Sequence, residues 1–349
     1  MNLFYKNKPI IGLDFSKTSM RVMSIDQTKM LVHGYGSVDL DPSQVSEGLE
    51  ESYDYLVGKV NDLFQNNIIG KLNSDRVVLG VPAAKTFART FTIPTSQESN
   101  LKDAVNLEVE QYIPMPLENL YVDHQVIRRD KNEITSLMCA VPKKYTDTLL
   151  KTVQATGIDV TMIEPSINAA ARLLEHTKEG GMPTIIVDVS PASTDIAVYD
   201  TAVRVTGSLN IGGNTLTLDI AKKMDIPLEN AHQLKVLSGM NAGPRQAKIT
   251  AALRPNLMRV VNETRKIIRF YTDRFPNESK IEQILIVGSG SNVPGLGEFF
   301  TNELMMPARV AGPWQALNFD ELTQPSKQLK SRFMTAAGLA LVSPGEIWK

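Results

Sequence analysis

Cysteine is almost missing from this chain of 349 residues: Cys139 is the single one. A disulfide framework is therefore excluded, and Cys139 sits in the apolar run Ser136–Val141, as a buried structural thiol in a reducing compartment would. An excess of either charge is missing too. Lysine plus arginine number 37 against 38 acidic residues, for a net charge of −1. No basic field favours nucleic acid, and no block of like charge marks a disordered tail. Nowhere does an apolar run approach the roughly 18 residues of a membrane-spanning helix. Ile10–Phe15, after Lys6 and Lys8, contains Gly12 and Asp14 and is too short for the core of a secretion signal. The expected location is cytoplasmic, or peripheral by partnership. His33, His124 and His176 lie far apart without metal-ligand spacing. No Ser/His/Asp or Cys/His order suggests a nucleophilic site, and low-complexity segments are absent.

What is present is ordinary globular composition, 42% hydrophobic and 21% charged, in a chain long enough for about two domains. It is organised around Ile10–Val22 and an echo of that stretch at Thr184–Val198. Each reads as a strand carrying an aspartate (Asp14, Asp188), a hydroxyl-rich turn and a second strand. A hairpin repeated half a chain apart predicts two related α/β domains facing each other across a cleft.

Along the chain, Ile10–Phe15, Met20–Ile25 and Met30–Val38 read as strands. A helix is expected over about Pro42–Asn66, with Leu49, Tyr53, Leu56, Val60 and Leu63 at helical spacing. Residues 76–156 read as a module of their own: strands Arg76–Val81 and Arg89–Ile93, a helix Ser99–Tyr112 with Ser99 as its N-cap, a hairpin Tyr121–Arg128/Glu133–Val141, and a closing helix Tyr145–Ala155 ended by Gly157. Glu108 breaks the apolar stripe of the first of these helices, so it needs a partner or marks the helix edge. Strand Ile158–Ile163 and a helix from Pro165 follow, then a hinge-like Gly180-Gly181. Beyond Thr184 come strand Val203–Leu209, helices Leu216–Met224 and Leu228–Leu237, a long helix Pro255–Phe275, strand Ile284–Val287, a helix of about Gly295–Leu304, strand Ala308–Val310 and a final helix Phe333–Val342. That last helix closes back on the first domain in this reading. The implied division is a first core domain at 1–75 that returns at 157–180 and 331–349, the module at 76–156, and a second core domain at 181–330 with a smaller helical/β part at about 216–255.

Turns at Asp14–Ser19, Asp188–Thr194 and Gly288-Ser289-Gly290 each follow an apolar strand, and Gly212-Gly213-Asn214 opens a helix. Unsatisfied backbone N–H groups at such places attract anions. Ser16, Lys17, Thr18, Ser19, Ser190 and Thr194 join those glycines as candidate phosphate contacts. Asp14 and Asp188 are the candidates to hold a hydrated Mg²⁺, which favours carboxylate, water and phosphate oxygen.

This ordering resembles the actin-like ATPase superfamily and, within it, the PilM family of type IV pilus assembly. Ile11-Gly12-Leu13-Asp14 is similar to the first phosphate motif, Val187-Asp188 with Thr194-Asp195 to the second, and Val287-Gly288-Ser289-Gly290 to the adenosine motif. Glu164-Pro165 with Ala169-Ala170, and Ala336–Leu341, resemble the connecting helices. Asn210–Asn214 with Leu216-Thr217 resembles the PilM segment after the second turn. Gly80-Val81-Pro82, Glu108–Pro114, Asp123 and Ala140-Val141-Pro142 resemble the inserted subdomain of the PilM and FtsA proteins. FtsA ends in an amphipathic membrane helix, for which Ser343–Lys349 is too short.

The resemblance implies a two-lobed actin-like ATPase fold, with duplicated mixed-sheet core domains around a nucleotide cleft and an inserted α/β subdomain. It implies ATP with Mg²⁺ in the cleft, Lys235 near the nucleoside, and Glu164 as the residue that would position water. It also implies a cytoplasmic scaffold that binds the N-terminal tail of PilN and, through it, PilO and the inner-membrane platform, with the pilus motor ATPase and self-association as further contacts. Ser16 and Ser190 stand where the family has glycine, and His232 where it has glutamate. A Cβ at the first two obstructs close backbone approach to phosphate, which weighs against hydrolysis. An active ATPase or kinase, an FtsA-like filament former and a type II secretion counterpart remain as alternative readings.

Overall fold

The computed structural model describes residues 10–177, 182–276 and 279–343. Gly180-Gly181 and the segment after Ser343 lie outside these residues. The first lobe begins with β1 (Ile11–Ser16), β2 (Ser19–Asp26) and β3 (Leu31–Asp39), paired antiparallel in succession. The helix expected from Pro42 starts later. Single 3₁₀ turns occupy Pro42–Gln44 and Glu50–Ser52 before α1 (Tyr53–Asn66). The cause is Leu49, buried and left-handed with φ +68°, a conformation that cannot continue a right-handed helix. Leu56, Val60 and Leu63 of α1 then pack on the sheet. A short edge strand β4 (Ile68–Gly70) follows, and β5 (Arg76–Val81) runs parallel to β1.

From β5 the chain leaves the lobe to build β6 (Phe87–Pro94), α2 (Leu101–Tyr112), β7 (Leu120–Arg129) and β8 (Glu133–Pro142). Val105 and Val109 of α2 bury against Phe91, Ile93, Ile134 and Met138 to give this module its own core. Ser99 is not its helix cap: a 3₁₀ stretch, Thr95–Asn100, precedes α2. The chain returns through α3 (Lys143–Gln154), β9 (Asp159–Pro165) and α4 (Ser166–His176).

The module is therefore smaller than 76–156. β5 lies between β1 and β9 in the first sheet, ordered β4-β3-β2-β1-β5-β9. Tyr145, Leu149 and Val153 of α3 share a core with α1. An apolar strand flanked by parallel neighbours and an amphipathic helix opposite α1 bury more surface in the lobe than a three-stranded module could offer them.

The second lobe repeats the plan with β10 (Thr184–Val189), β11 (Thr194–Asp200) and β12 (Ala202–Leu209), again antiparallel in succession. Helices α5 (Gly213–Met224), α6 (Leu228–Leu237) and α7 (Gln246–Arg274) follow. The stretch 216–255 is helical, with no strand among the described residues. α7 begins nine residues before Pro255 and passes through it. An interior proline costs about 3 kcal/mol, but Ile249 and Leu253 in the turns before it are buried in the lobe core, and each returns about 1.5–3 kcal/mol. β13 (Gln283–Val287) runs parallel to β10, then α8 (Leu296–Leu304) and β14 (Ala308–Val310) complete the lobe.

Finally α9 (Lys327–Lys330) leads to α10 (Met334–Ala340), which packs on β1 and α4. No described helix is long and apolar enough to cross a membrane.

α4 and α10 sit between the two sheets, and a single apolar cluster runs from Met23 and Ile25 through Ile167, Ala171, Ala336 and Ala340 to Ile186 and Leu285. The helices approach closely because their contact is made of small residues. A Cβ on Gly338 would overlap the Ala169 carbonyl, and one on Gly12 would overlap the Ala336 carbonyl. Backbone on both sides leaves no side chain to move aside. Gly338→Ala and Gly12→Ala should each destabilise the protein by at least about 2 kcal/mol, as overpacking in a closed core does, read as a lower midpoint in chemical denaturation. Gly58→Ala, on an open face of α1, should leave the midpoint unchanged or raise it.

Candidate functional site: the cleft between the lobes

The two hairpins place their aspartates at the same register but against different partners. In the first lobe Asp14 lies directly across from Arg21, and the Arg21 Nη1–Asp14 Oδ2 distance is 3.3 Å with both side chains buried. Arg21 also donates to Ser19 Oγ. In the second lobe Asp188 lies across from Asp195. Opposite charges across a ladder stabilise it and like charges oppose it, so the second hairpin carries a buried repulsion that the first does not.

The protonation behaviour follows. Burial, then Asp195 and Asp14, push Asp188 up to about 7 against the pull of Arg21. Asp195 is pushed up to about 6, by burial first, while its hydrogen bond from Ser208 Oγ at 2.5 Å opposes the rise. Burial also raises Asp14, against the attraction of Arg21. Asp188 Oδ1 has no hydrogen-bond partner. Three buried carboxylates beside one buried guanidinium leave a deficit of positive charge. A divalent cation fits this chemistry, but no three metal-ligating side chains converge among the described residues. Asp188 and Asp14 would hold Mg²⁺ with water and phosphate supplying the remaining oxygens, as that ion ordinarily allows.

Two cavities form the cleft. The first, about 160 Å³, is walled by Asp14, Ser16, Lys17, Thr18, Asp188, Ser190, Gly288 and Ser289. The second, about 450 Å³, is walled by Gly213, Asn214, His232, Lys235, Ser289 and Gly290. Thr18, Pro191, Ser289 and Arg332 belong to both, so the two are continuous. Gly288, at φ +83°, packs directly on Asp188 Oδ1, where any Cβ would collide.

The sequence model described as "Type IV pilus assembly protein PilM" matches residues 12–344. The chain belongs to the PilM family. Its fold is similar to that in the "PilM-PilN type IV pilus biogenesis complex", at TM-score 0.79 and 20% identity over 95% of this chain and 98% of that one. A looser likeness joins it to MreB5 of Spiroplasma citri bound to ADP, at TM-score 0.57 and 12% identity over 98% of each chain. In sequence it is 26% identical to the cell division protein FtsA of Neisseria meningitidis serogroup B (strain ATCC BAA-335 / MC58), over 78% of this chain and 70% of that protein. The fold is thus the two-lobed actin-like ATPase fold.

Within this PilM-family cleft, several predicted contacts are engaged elsewhere. Ser16 Oγ accepts from the Ser19 N–H at 3.2 Å and donates to the Ser19 carbonyl at 3.0 Å, so it closes the turn that glycine would leave open. The Gly213 and Asn214 N–H groups donate to the carbonyls of Ser190 and Pro191, both at 2.9 Å. Rather than facing an anion, the start of α5 buckles onto the second turn. Gly212, whose Cβ would overlap those same carbonyls, lines neither cavity. Thr194 Oγ1 donates to the Ile211 carbonyl at 2.6 Å and also lies outside the cleft, as does fully buried Ser19. Lys235 reaches the second cavity but donates to Gly213 O and Thr217 Oγ1, both at 2.7 Å, and burial lowers it to about 8.

Glu164 is the clearest correction. Its carboxylate receives both Nη atoms of Arg172, at 2.5 and 2.8 Å, and Arg172 Nη1 also donates to Gly338 O at 3.0 Å. It lines neither cavity; the pair ties β9 to α4, and Arg172 carries the link on to α10, a structural ion pair in place of a water-positioning base. Arg21, Asp195 and Arg332 were absent from the predicted contacts. For Arg21 a signal existed, an arginine inside the apolar alternation of Ser19–Ile25. Arg332, which pairs with Asp39 at 2.5 Å, carried none.

A carboxyl whose folded pKa exceeds its unfolded value binds more protons when folded, so stability falls as pH rises between the two values. For Asp188 that interval runs from about 4 to about 7, and for Asp195 from about 4 to about 6. The nucleotide-free, metal-free protein should melt higher at about pH 5.5 than at about pH 7.5. Asp188→Asn should flatten most of that slope, measured by differential scanning fluorimetry across the range.

Proposed function

We propose that this PilM-family chain is a cytoplasmic scaffold of the type IV pilus inner-membrane assembly platform. It captures the N-terminal tail of PilN in the groove between the first lobe and the inserted module, and it holds ATP with Mg²⁺ in the interdomain cleft. The observation that carries this reading is the inserted β6–α2–β7–β8 unit in a chain that aligns end to end with the PilM–PilN complex.

The module stands beside the first lobe with limited bonding to it. Tyr121 of β7 donates to Asp147 of α3 at 2.8 Å, and Lys143 Nζ donates to the Glu118 carbonyl at 2.8 Å. β7 is the outer strand of its sheet, and an open strand edge with side-chain pockets is a standard means of capturing an extended peptide. Half-buried Cys139 lies on the central strand β8, with its thiol pushed up to about 12 by burial and by the nearby Asp123 and Glu164 charges. It offers a single reporter position for this side of the module.

A scaffold is favoured over a hydrolase by Glu164, which Arg172 holds in a bidentate pair, and by the turn-closing hydroxyl of Ser16.

Titration of the full chain with a PilN tail peptide should give saturable binding, and its absence at high micromolar concentration overturns the scaffold reading. Mg-ATP at about 100 times its dissociation constant should stabilise the folded protein by about 2.7 kcal/mol, seen as a melting shift of several degrees. No shift at millimolar nucleotide means a degenerate cleft. Single-turnover hydrolysis abolished by Asp14→Ala would replace the scaffold by an active ATPase.

A further inference from the structure

The phosphate end of the cleft has two lysines that share one exposed carboxylate. Lys17, in the β1–β2 turn, places Nζ 3.1 Å from Glu47 Oε1, and Lys85, just beyond β5, places Nζ 2.7 Å from Glu47 Oε2. All three wall the same cavity as Asp14 and Ser190. Glu47 belongs to the segment between β3 and α1. Its neighbours Val45 and Leu49 are buried at 4% and 1% exposure while its own side chain is 74% exposed, so the carboxylate can swing outward with the backbone anchored.

The donors deeper in the site are committed. Arg21 serves Asp14 and Ser19, the Ser190 N–H donates to Ser193 O, and the first N–H groups of α5 serve the Ser190 and Pro191 carbonyls. The interior beyond them holds the carboxylates of Asp14, Asp188 and Asp195. A polyphosphate arriving there would meet net negative charge unless positive charge came from the rim. With Arg332 of the same wall already paired to Asp39, the lysine pair supplies that charge, and its present partner is an exposed carboxylate of the kind that holds a cation weakly. The oxygens of a polyphosphate offer each ammonium a charge-assisted hydrogen bond within a more highly charged group.

We propose that Lys17 and Lys85 are a phosphate-binding pair at the cleft mouth and that Glu47 is its resident counter-ion, displaced when a polyphosphate enters. This deepens the nucleotide reading of the cleft and rests on it. Lys85 also opens the connection into the inserted module, so the exchange takes place where the module joins the lobe.

The test is calorimetric titration of the full chain with Mg-ATP, tripolyphosphate and adenosine, in wild type, Glu47→Gln and Lys85→Met. Glu47→Gln should tighten ATP and tripolyphosphate about threefold or more by freeing both lysines, the scale on which exposed ion pairs act. Lys85→Met should weaken both about tenfold through loss of a charge-assisted contact, and adenosine should bind all three proteins alike. Melting curves without ligand guard against misfolding. If Lys85→Met melts low, the near-isosteric Glu47→Gln carries the test alone. Should ATP bind wild type while neither variant changes the ratio of ATP to adenosine affinity, the lysine pair is overturned and the nucleotide site stands. Should neither ATP nor adenosine bind any of the three, both fall together.

Discussion

The crossing of α4 and α10 is the contact on which the rest of the molecule depends. At Ala169 and Gly338 two helix backbones meet with no side chain between them, and the same pair carries one apolar cluster from the first sheet to the second. Close packing of this kind has no soft direction, since interiors at crystal-like density transmit displacement instead of absorbing it. The Arg172–Glu164 ion pair, with its added bond to Gly338 O, fastens the crossing from one side. Everything in the cleft inherits its geometry from this joint: Gly12, two residues before Asp14, lies under Ala336 of α10.

Across that joint the duplicated hairpins have diverged electrostatically. One lobe answers its buried aspartate with an arginine and the other with a second aspartate. Fold and register are kept while the sign of the cross-strand interaction is reversed. The first hairpin is therefore electrostatically closed, and the second carries the unmet demand for a proton or a cation. The burial that makes Asp188 and Asp195 hard to ionise also gives a bound cation its leverage, because charges interact more strongly where water is excluded.

The inserted module adds a second kind of junction. Its three strands continue the second lobe's sheet to eight, yet the seam between β12 and β6 is the single pair Val205–Arg89. Arg89 lies 3.3 Å from the Tyr112 ring centroid and 3.8 Å from Glu108, so the glutamate that interrupts the α2 stripe finds its partner here. A cavity of about 330 Å³ remains beside it, walled by residues of both bodies. The module is thus attached to the second lobe by that one strand pair, by Thr206 Oγ1 donating to the Ala88 carbonyl at 3.4 Å and by the Arg89 guanidinium 5.2 Å from the Phe270 ring centroid of α7, a much lighter union than the helix crossing.

Much of this was legible in the sequence because it is local. Alternation and turn chemistry marked β1, β2, β10 and β11 within a residue or two, and the matched positions of Asp14 and Asp188 in two similar hairpins announced the duplication. What the sequence could not carry was partnership over distance. Arg76–Val81 reads as a strand wherever it pairs, and only the sheet decides that it lies beside β1. Gly213 and Asn214 look like anion donors until the Ser190 and Pro191 carbonyls are seen opposite them. Glu164 looks catalytic until Arg172, eight residues on, closes over it. The sequence by itself determined the strands, the turns and the two aspartates, because backbone preference and periodicity act between near neighbours. The tertiary structure decided which donors and charges remain available to a ligand, because burial and hydrogen bonding are set by groups that meet only when the chain is folded.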